Sequence, residues 1–136
     1  MSKIILVEDD VDLQDLVIEM LESLGYDVLA CSNRDQAYKA MMHCRPDAVL
    51  MDYSMPGMTL ASFLALTADT FPLSRIVLFS ADNAGGEAMN HGIRHSISKP
   101  IDIPELERTL GELCKAPISL AASQDCPTRP SQPARK

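Results

Sequence analysis

The chain has 136 residues, enough for one domain that closes its own core without disulfides or metal. Apolar residues make up 46% and charged residues 23%, which excludes a wholly disordered or collagen-like chain. The net charge is -7, and residues 1–116 hold 18 of the 19 acids but 9 of the 12 bases, so this body lacks the clustered Lys and Arg of a nucleic-acid surface.

Ile4-Ile5-Leu6-Val7 opens the chain as a short, β-branched apolar run, the pattern of a parallel strand buried on both faces. Leu13, Leu16, Val17, Met20, Leu21 and Leu24 then repeat at three and four, an apolar helical stripe that stops at Gly25. A second strand is expected at Val28-Leu29-Ala30-Cys31. Ser32-Asn33-Arg34-Asp35 reads as a capping box opening a helix to about Cys44, with Pro46 beyond its end. Ala48-Val49-Leu50-Met51 predicts a third strand, 59–70 a third helix, and Ile76-Val77-Leu78-Phe79 a fourth strand. The fourth helix, 84–91, is short and opens with Gly85-Gly86; a less apolar fifth strand candidate spans 93–98. The last helix begins with Asp102 as cap and Glu105 three residues on, with Ile103, Leu106, Leu110 and Leu113 inward. Five alternations of strand and helix predict an α/β fold, a parallel sheet with helices on both faces. After this domain (1–116), Pro117, Pro127, Pro130 and Pro133 among Ser, Gln and Thr predict a disordered tail or linker over 117–136.

No apolar run approaches the ~20 residues of a membrane span, and the first residues lack a signal-peptide layout. A cytoplasmic protein without a membrane partner is expected. Cys31, Cys44, Cys114 and Cys126 show no Cys-x-x-Cys pair and no Cys/His ligand spacing, and read as idle thiols in a reducing compartment.

Open parallel α/β sheets bind ligands outside the carboxyl ends of their strands. Here the first strand ends in Glu8-Asp9-Asp10, the third in Asp52, the fourth in Ser80-Ala81 and the fifth in Lys99-Pro100. Crowded carboxylates suit a shared hard cation such as Mg²⁺. A carboxylate is also a nucleophile toward phosphorus, and a lysine with a hydroxyl can hold the outer oxygens of a phosphoryl group. Singly, each has a plainer reading: Asp9 or Asp10 as a helix cap, Asp52 as a turn residue, Lys99 as a surface cation. Arising together at four strand ends, they point to one site. No Walker loop, dinucleotide-binding glycine pattern or Gly-x-Ser-x-Gly elbow competes.

Leu6-Val7-Glu8-Asp9-Asp10, the stretch Leu50-Met51-Asp52-Tyr53-Ser54-Met55-Pro56-Gly57-Met58, Phe79-Ser80-Ala81 and Ser98-Lys99-Pro100 resemble the signature of response-regulator receiver domains over residues 3 to about 115. The resemblance implies a doubly wound, flavodoxin-like five-stranded sheet in the order 2-1-3-4-5. It also implies Asp52 as phosphoacceptor, with Mg²⁺ held by Glu8, Asp9, Asp52 and the Ser54 main-chain carbonyl. Ser80 and Lys99 would contact the phosphoryl group, and Lys99-Pro100 would be a cis peptide. The implied donor is a phosphohistidine on a sensor histidine kinase or phosphotransfer protein. The output is an unidentified protein target, without direct nucleic-acid binding, and the domain acts on no external substrate as an enzyme. Ser54 and Asp82 would tune phosphoryl lifetime.

Three positions depart from that pattern: Ser96 stands where an aromatic is usual, Thr59-Leu60-Ala61 where Asp-Gly-Leu is usual, and the stretch from Ser80 to Gly92 is short, predicting a marginal fourth helix. The alternative they leave is a pseudo-receiver, a binding module independent of phosphorylation. A small metal-dependent phosphatase ranks third, since Ser54 occupies the position of its second acid. The third helix carries no charge from Thr59 to Ala68, and Ala61, Ser62, Ala65, Leu66 and Ala68 are expected to form an apolar partner or homodimer surface.

Overall fold

Parallel strands β1 (Lys3–Val7), β2 (Asp27–Cys31), β3 (Ala48–Asp52), β4 (Ile76–Ser80) and β5 (His95–Ser98) pair in the order β2-β1-β3-β4-β5. This computed structural model describes residues 2–80 and 84–115. Helices α1 (Val11–Ser23), α2 (Arg34–His43), α3 (Leu60–Thr67), α4 (Ala84–Asn90) and α5 (Ile103–Lys115) connect or follow the strands. The doubly wound α/β architecture and the strand order are those expected. The 117–136 segment, Cys126 and Asp82 lie outside the described residues.

Side-chain alternation splits each strand between two cores. Ile4, Leu6, Leu50 and Phe79 face α1 and α5, where Val17, Leu21, Leu106 and Leu110 meet them. Ile5, Val7, Met51 and Leu78 face α2, α3 and α4, which supply Ala37, Phe63 and Ala88. Burial on both faces is why these strands read as continuous apolar runs. Register places Val7 beside Cys31 and Met51, Asp52 beside Phe79 and Ser80 beside Ser98, so the carboxyl ends line up along one edge.

Several boundaries differ from the sequence reading. The capping box is carried by Asn33 and Gln36: Asn33 Oδ1 accepts the Gln36 N–H at 2.9 Å, and Gln36 Oε1 accepts the Ser32 N–H at 2.8 Å. α3 stops at Thr67, whose hydroxyl donates to the Phe63 carbonyl (3.1 Å) while its own carbonyl accepts from Phe71 (2.9 Å). α1 buries Val17 and Leu21 but leaves Leu16 exposed, and Ile103, expected inward, is exposed at the start of α5. The five α3-side residues expected at the surface are all exposed. Cys31 and Cys114 are free, and burial pushes the Cys31 thiol up to about 11.

Two helices end on left-handed glycines. After α1, Gly25 (φ 95°) donates to Glu22 and Tyr26 to Leu21; after α4, Gly92 (φ 77°) donates to Met89 and Ile93 to Ala88. A Cβ on Gly25 meets nothing within 4 Å, whereas on Gly92 it meets Leu73 Cδ2 at 3.3 Å. Gly25→Ala is therefore expected to cost about 1 kcal/mol of backbone strain alone, and Gly92→Ala more. Urea melts of both variants, with an unchanged m-value, check that order.

Candidate functional site

The β1–α1 turn divides its three acids between structure and site. Asp10 is the α1 cap: its Oδ1 accepts the N–H groups of Asp12 (3.0 Å) and Leu13 (3.3 Å). Its own N–H donates to Glu8 Oε2 at 3.0 Å, turning the Glu8 carboxylate back over the sheet edge. Gln14 Nε2 fixes the turn from below by donating to the carbonyls of Glu8 (3.0 Å) and Cys31 (3.3 Å). Asp9 is left exposed, while Glu8 is buried.

Asp52 closes β3 and is buried. Its Oδ1 accepts the Ser54 N–H (3.2 Å), and its Oδ2 accepts from Lys99 Nζ (3.3 Å). Lys99 reaches inward from the end of β5, where its N–H bonds the Ser80 carbonyl at 2.9 Å and its bond to Pro100 is cis. The same ammonium lies 3.8 Å from Glu8 Oε1 and 5.3 Å from the centroid of the Phe79 ring. Ser80 is buried at the end of β4, and Ser54 is exposed on the β3–α3 loop. The fold thus gathers Glu8, Asp9 and Asp52 in direct range of one another, with Lys99 on Glu8 and Asp52 and with Ser80 and Ser54 on adjoining chain. His43, His91 and His95 do not join this cluster; His91 instead packs its ring 6.3 Å from that of Tyr53.

One oxygen each from Glu8, Asp9 and Asp52 lies within 4.8 Å of the others, a group able to hold a metal ion. Glu8 Oε1 is buried and accepts no hydrogen bond. Burial above all, with the Asp52 charge adding, pushes the Glu8 carboxyl up to about 7 against the pull of the Asp10 N–H and Lys99. An all-oxygen donor set with an orphaned buried carboxylate oxygen fits a hard divalent cation, which would satisfy that atom and offset the repulsion.

Sequence reading did not single out Arg34. The first residue of α2, it is buried, and its guanidinium donates to the carbonyls of Asp52 (3.1 Å), Tyr53 (2.9 Å) and Met58 (2.8 Å), with Nε on Met51 Sδ at 3.3 Å. A signal was available: a cation at a helix N-terminus opposes the helix dipole, so its presence calls for acceptors elsewhere.

Residues 4–111 match the family described as Response regulator receiver domain. The transcriptional regulatory protein CrdR of Helicobacter pylori is 36% identical over 110 residues, covering 78% of this chain and 52% of CrdR, so the chain spans about half the length of that relative. A 14.6 kDa protein of Leptolyngbya boryana of uncharacterized function is 26% identical over 118 residues, 83% of this chain and 90% of that one. Among solved structures, the receiver domain of sensor histidine kinase PA1611 from Pseudomonas aeruginosa superposes with a TM-score of 0.76 at 28% identity, over 85% of this chain and 98% of that one, and it carries a magnesium ion in its active-site cleft. Family match, strand order and the acidic edge agree: this chain belongs to the response regulator receiver domains of two-component signalling.

Proposed function

We propose that the domain takes a phosphoryl group from a phosphohistidine donor onto Asp52, with Mg²⁺ held by Glu8, Asp9, Asp52 and the Ser54 carbonyl, and so switches a protein-binding surface. The observation that carries this reading is the pairing of a buried Asp52 with Lys99 (3.3 Å) beside two further carboxylates. An Asp52 carboxylate oxygen attacks phosphorus, the P–N bond breaks, and the imidazole leaves with the bonding pair. Mg²⁺, when bound, neutralises charge on the transferring oxygens. Lys99 holds a phosphoryl oxygen in place of the Asp52 contact, and the Ser80 hydroxyl donates to another. Phosphorylation adds about -1.5 to -2 charge at this edge, and α4 and β5 are the elements that respond. The donor is a sensor histidine kinase or phosphotransfer protein, and the downstream target is a protein. No helix among the described residues is long and apolar enough to cross a membrane, which accords with a cytoplasmic site of action.

Intact mass after incubation with acetyl phosphate tests the reading. A gain of one phosphoryl group is expected in the parent with Mg²⁺, and none with chelator or in Asp52→Asn; an unmodified parent would favour the pseudo-receiver. Proton linkage supplies a second test. Glu8 must ionise to hold a cation, so Mg²⁺ affinity measured by calorimetry is expected to fall as pH drops through about 7. In chelator the sign for stability is opposite. The unfolded chain releases the Glu8 proton near 4.5 and the folded chain near 7, so the stability Glu8 contributes is full below 4.5 and is lost as pH rises through 7. Melting-temperature profiles of the parent and Glu8→Gln in chelator check this, since the variant lacks that decline.

A further inference from the structure

Arg34 takes no part in the chemistry above, yet its placement bears on it. Arg34 is 2% exposed and, among the described residues, forms no ion pair with any carboxylate. Three of its four bonds go to backbone carbonyls between residues 52 and 58, the last residue of β3 and the loop that carries Ser54. A buried cation is expensive, and an apolar side chain could fill the space between α2 and β3 without that cost. What an apolar side chain lacks is a planar fork of donors reaching several carbonyls at once. These bonds join the two ends of the loop, Asp52–Tyr53 and Met58, to one rigid point on α2.

We propose that Arg34 is the positioning residue of this site: it clamps both ends of the 52–58 loop so that Ser54 and the Asp52 carboxylate keep their place relative to Glu8 and Asp9. The inference rests on the reading of Asp52 as phosphoacceptor and of Ser54 as a metal ligand through its carbonyl. Ser54 belongs to the same unit, because its N–H bonds Asp52 Oδ1 at 3.2 Å. Loss of the clamp frees the loop, and the acidic site then orders it only at the moment of binding, which weakens binding. Burial pulls the Arg34 guanidinium below its usual range, and the Asp52 charge opposes that loss. A purely structural Arg34 would support folding and leave the metal affinity of the folded protein unchanged.

The test compares the full chain with Arg34→Met and Arg34→Lys, reading Mg²⁺ affinity by calorimetry and Ser54 amide exchange by NMR, both well below each protein's melting temperature. Outer-shell partners of metal ligands are commonly worth 10–100-fold in affinity, so Arg34→Met is expected to weaken Mg²⁺ binding about tenfold. Ser54 exchange should quicken while the β1 and β2 amides stay protected. Arg34→Lys, which keeps the charge but not the fork, should fall between parent and Met variant; if the Met variant does not fold, weakened binding with faster Ser54 exchange in the Lys variant carries the proposal. Parental affinity and parental Ser54 exchange in either folded variant overturn it. A parent that neither binds Mg²⁺ nor accepts phosphate from acetyl phosphate overturns the receiver chemistry beneath it, and the proposal with it.

Discussion

Carboxylate oxygens of Glu8, Asp9 and Asp52 stand within 4.8 Å of one another at one edge of the sheet, and their mutual repulsion is the constraint to which the surrounding chain answers. Two unit charges at such range repel by about 4 kcal/mol in the effective dielectric of a protein surface. The compensations are specific. Lys99 bridges Asp52 and Glu8, the Asp10 N–H meets Glu8, and the Ser54 N–H meets Asp52. They remain incomplete, because one Glu8 oxygen keeps no hydrogen bond and its proton is held up to about 7. An incompletely compensated, preformed anionic site is primed for a cation, since binding removes a repulsion already present in the fold.

Much of this was legible in the sequence because strand ends are legible. Buried parallel strands appear as apolar runs, and the residue after each run falls on the one edge where such sheets place their chemistry. Glu8, Asp52, Ser80 and Lys99 were therefore placed by the pattern of their neighbours. The limits of that method were also physical. Asp9 and Asp10 are chemically identical, and only cap geometry shows that Asp10 turns its carboxylate to α1. The sequence reads the α2 capping box on Ser32 and Asp35, whereas Asn33 and Gln36 form it, because several polar side chains near a helix start satisfy the same pattern. Ile103 and Leu16 fit the periodic stripe yet stay exposed, since a stripe at helical spacing is wider than the strip the sheet covers. Arg34 was hidden for a different reason: its acceptors are main-chain carbonyls 18 to 24 residues away, and carbonyls carry no sequence signature.

Two of the three departures from the family pattern fall on β5 and α4, while the third, Thr59-Leu60-Ala61, opens α3. Ser96 sits on β5, and α4 is a seven-residue helix with Ala88 buried and a glycine closing it. A serine has no aromatic ring to sweep between a pocket and the surface, so in the proposed chemistry a response at Ser80 would run through Lys99, whose N–H bonds the Ser80 carbonyl. The acidic edge keeps Glu8, Asp9 and Asp52, so these departures leave the residues of the proposed phosphoryl chemistry in place.

Arg34 holds the Asp52 main chain and Lys99 its carboxylate, and the difference between them matters to a switch. Arg34 is buried and spends its fork on carbonyls of the backbone, contacts that do not change when the Asp52 side chain gains a phosphoryl group. Lys99 is partly exposed and contacts the Asp52 carboxylate itself, the atom group that would be modified. In the proposed chemistry the first contact therefore persists while the second must be remade. A switch needs both: a fixed frame against which charge is added, and a partner free to follow it. In that chemistry the α2 side would supply the frame, and the β5 side, where Lys99 also bonds the Ser80 carbonyl through its own backbone, would carry the displacement toward α4.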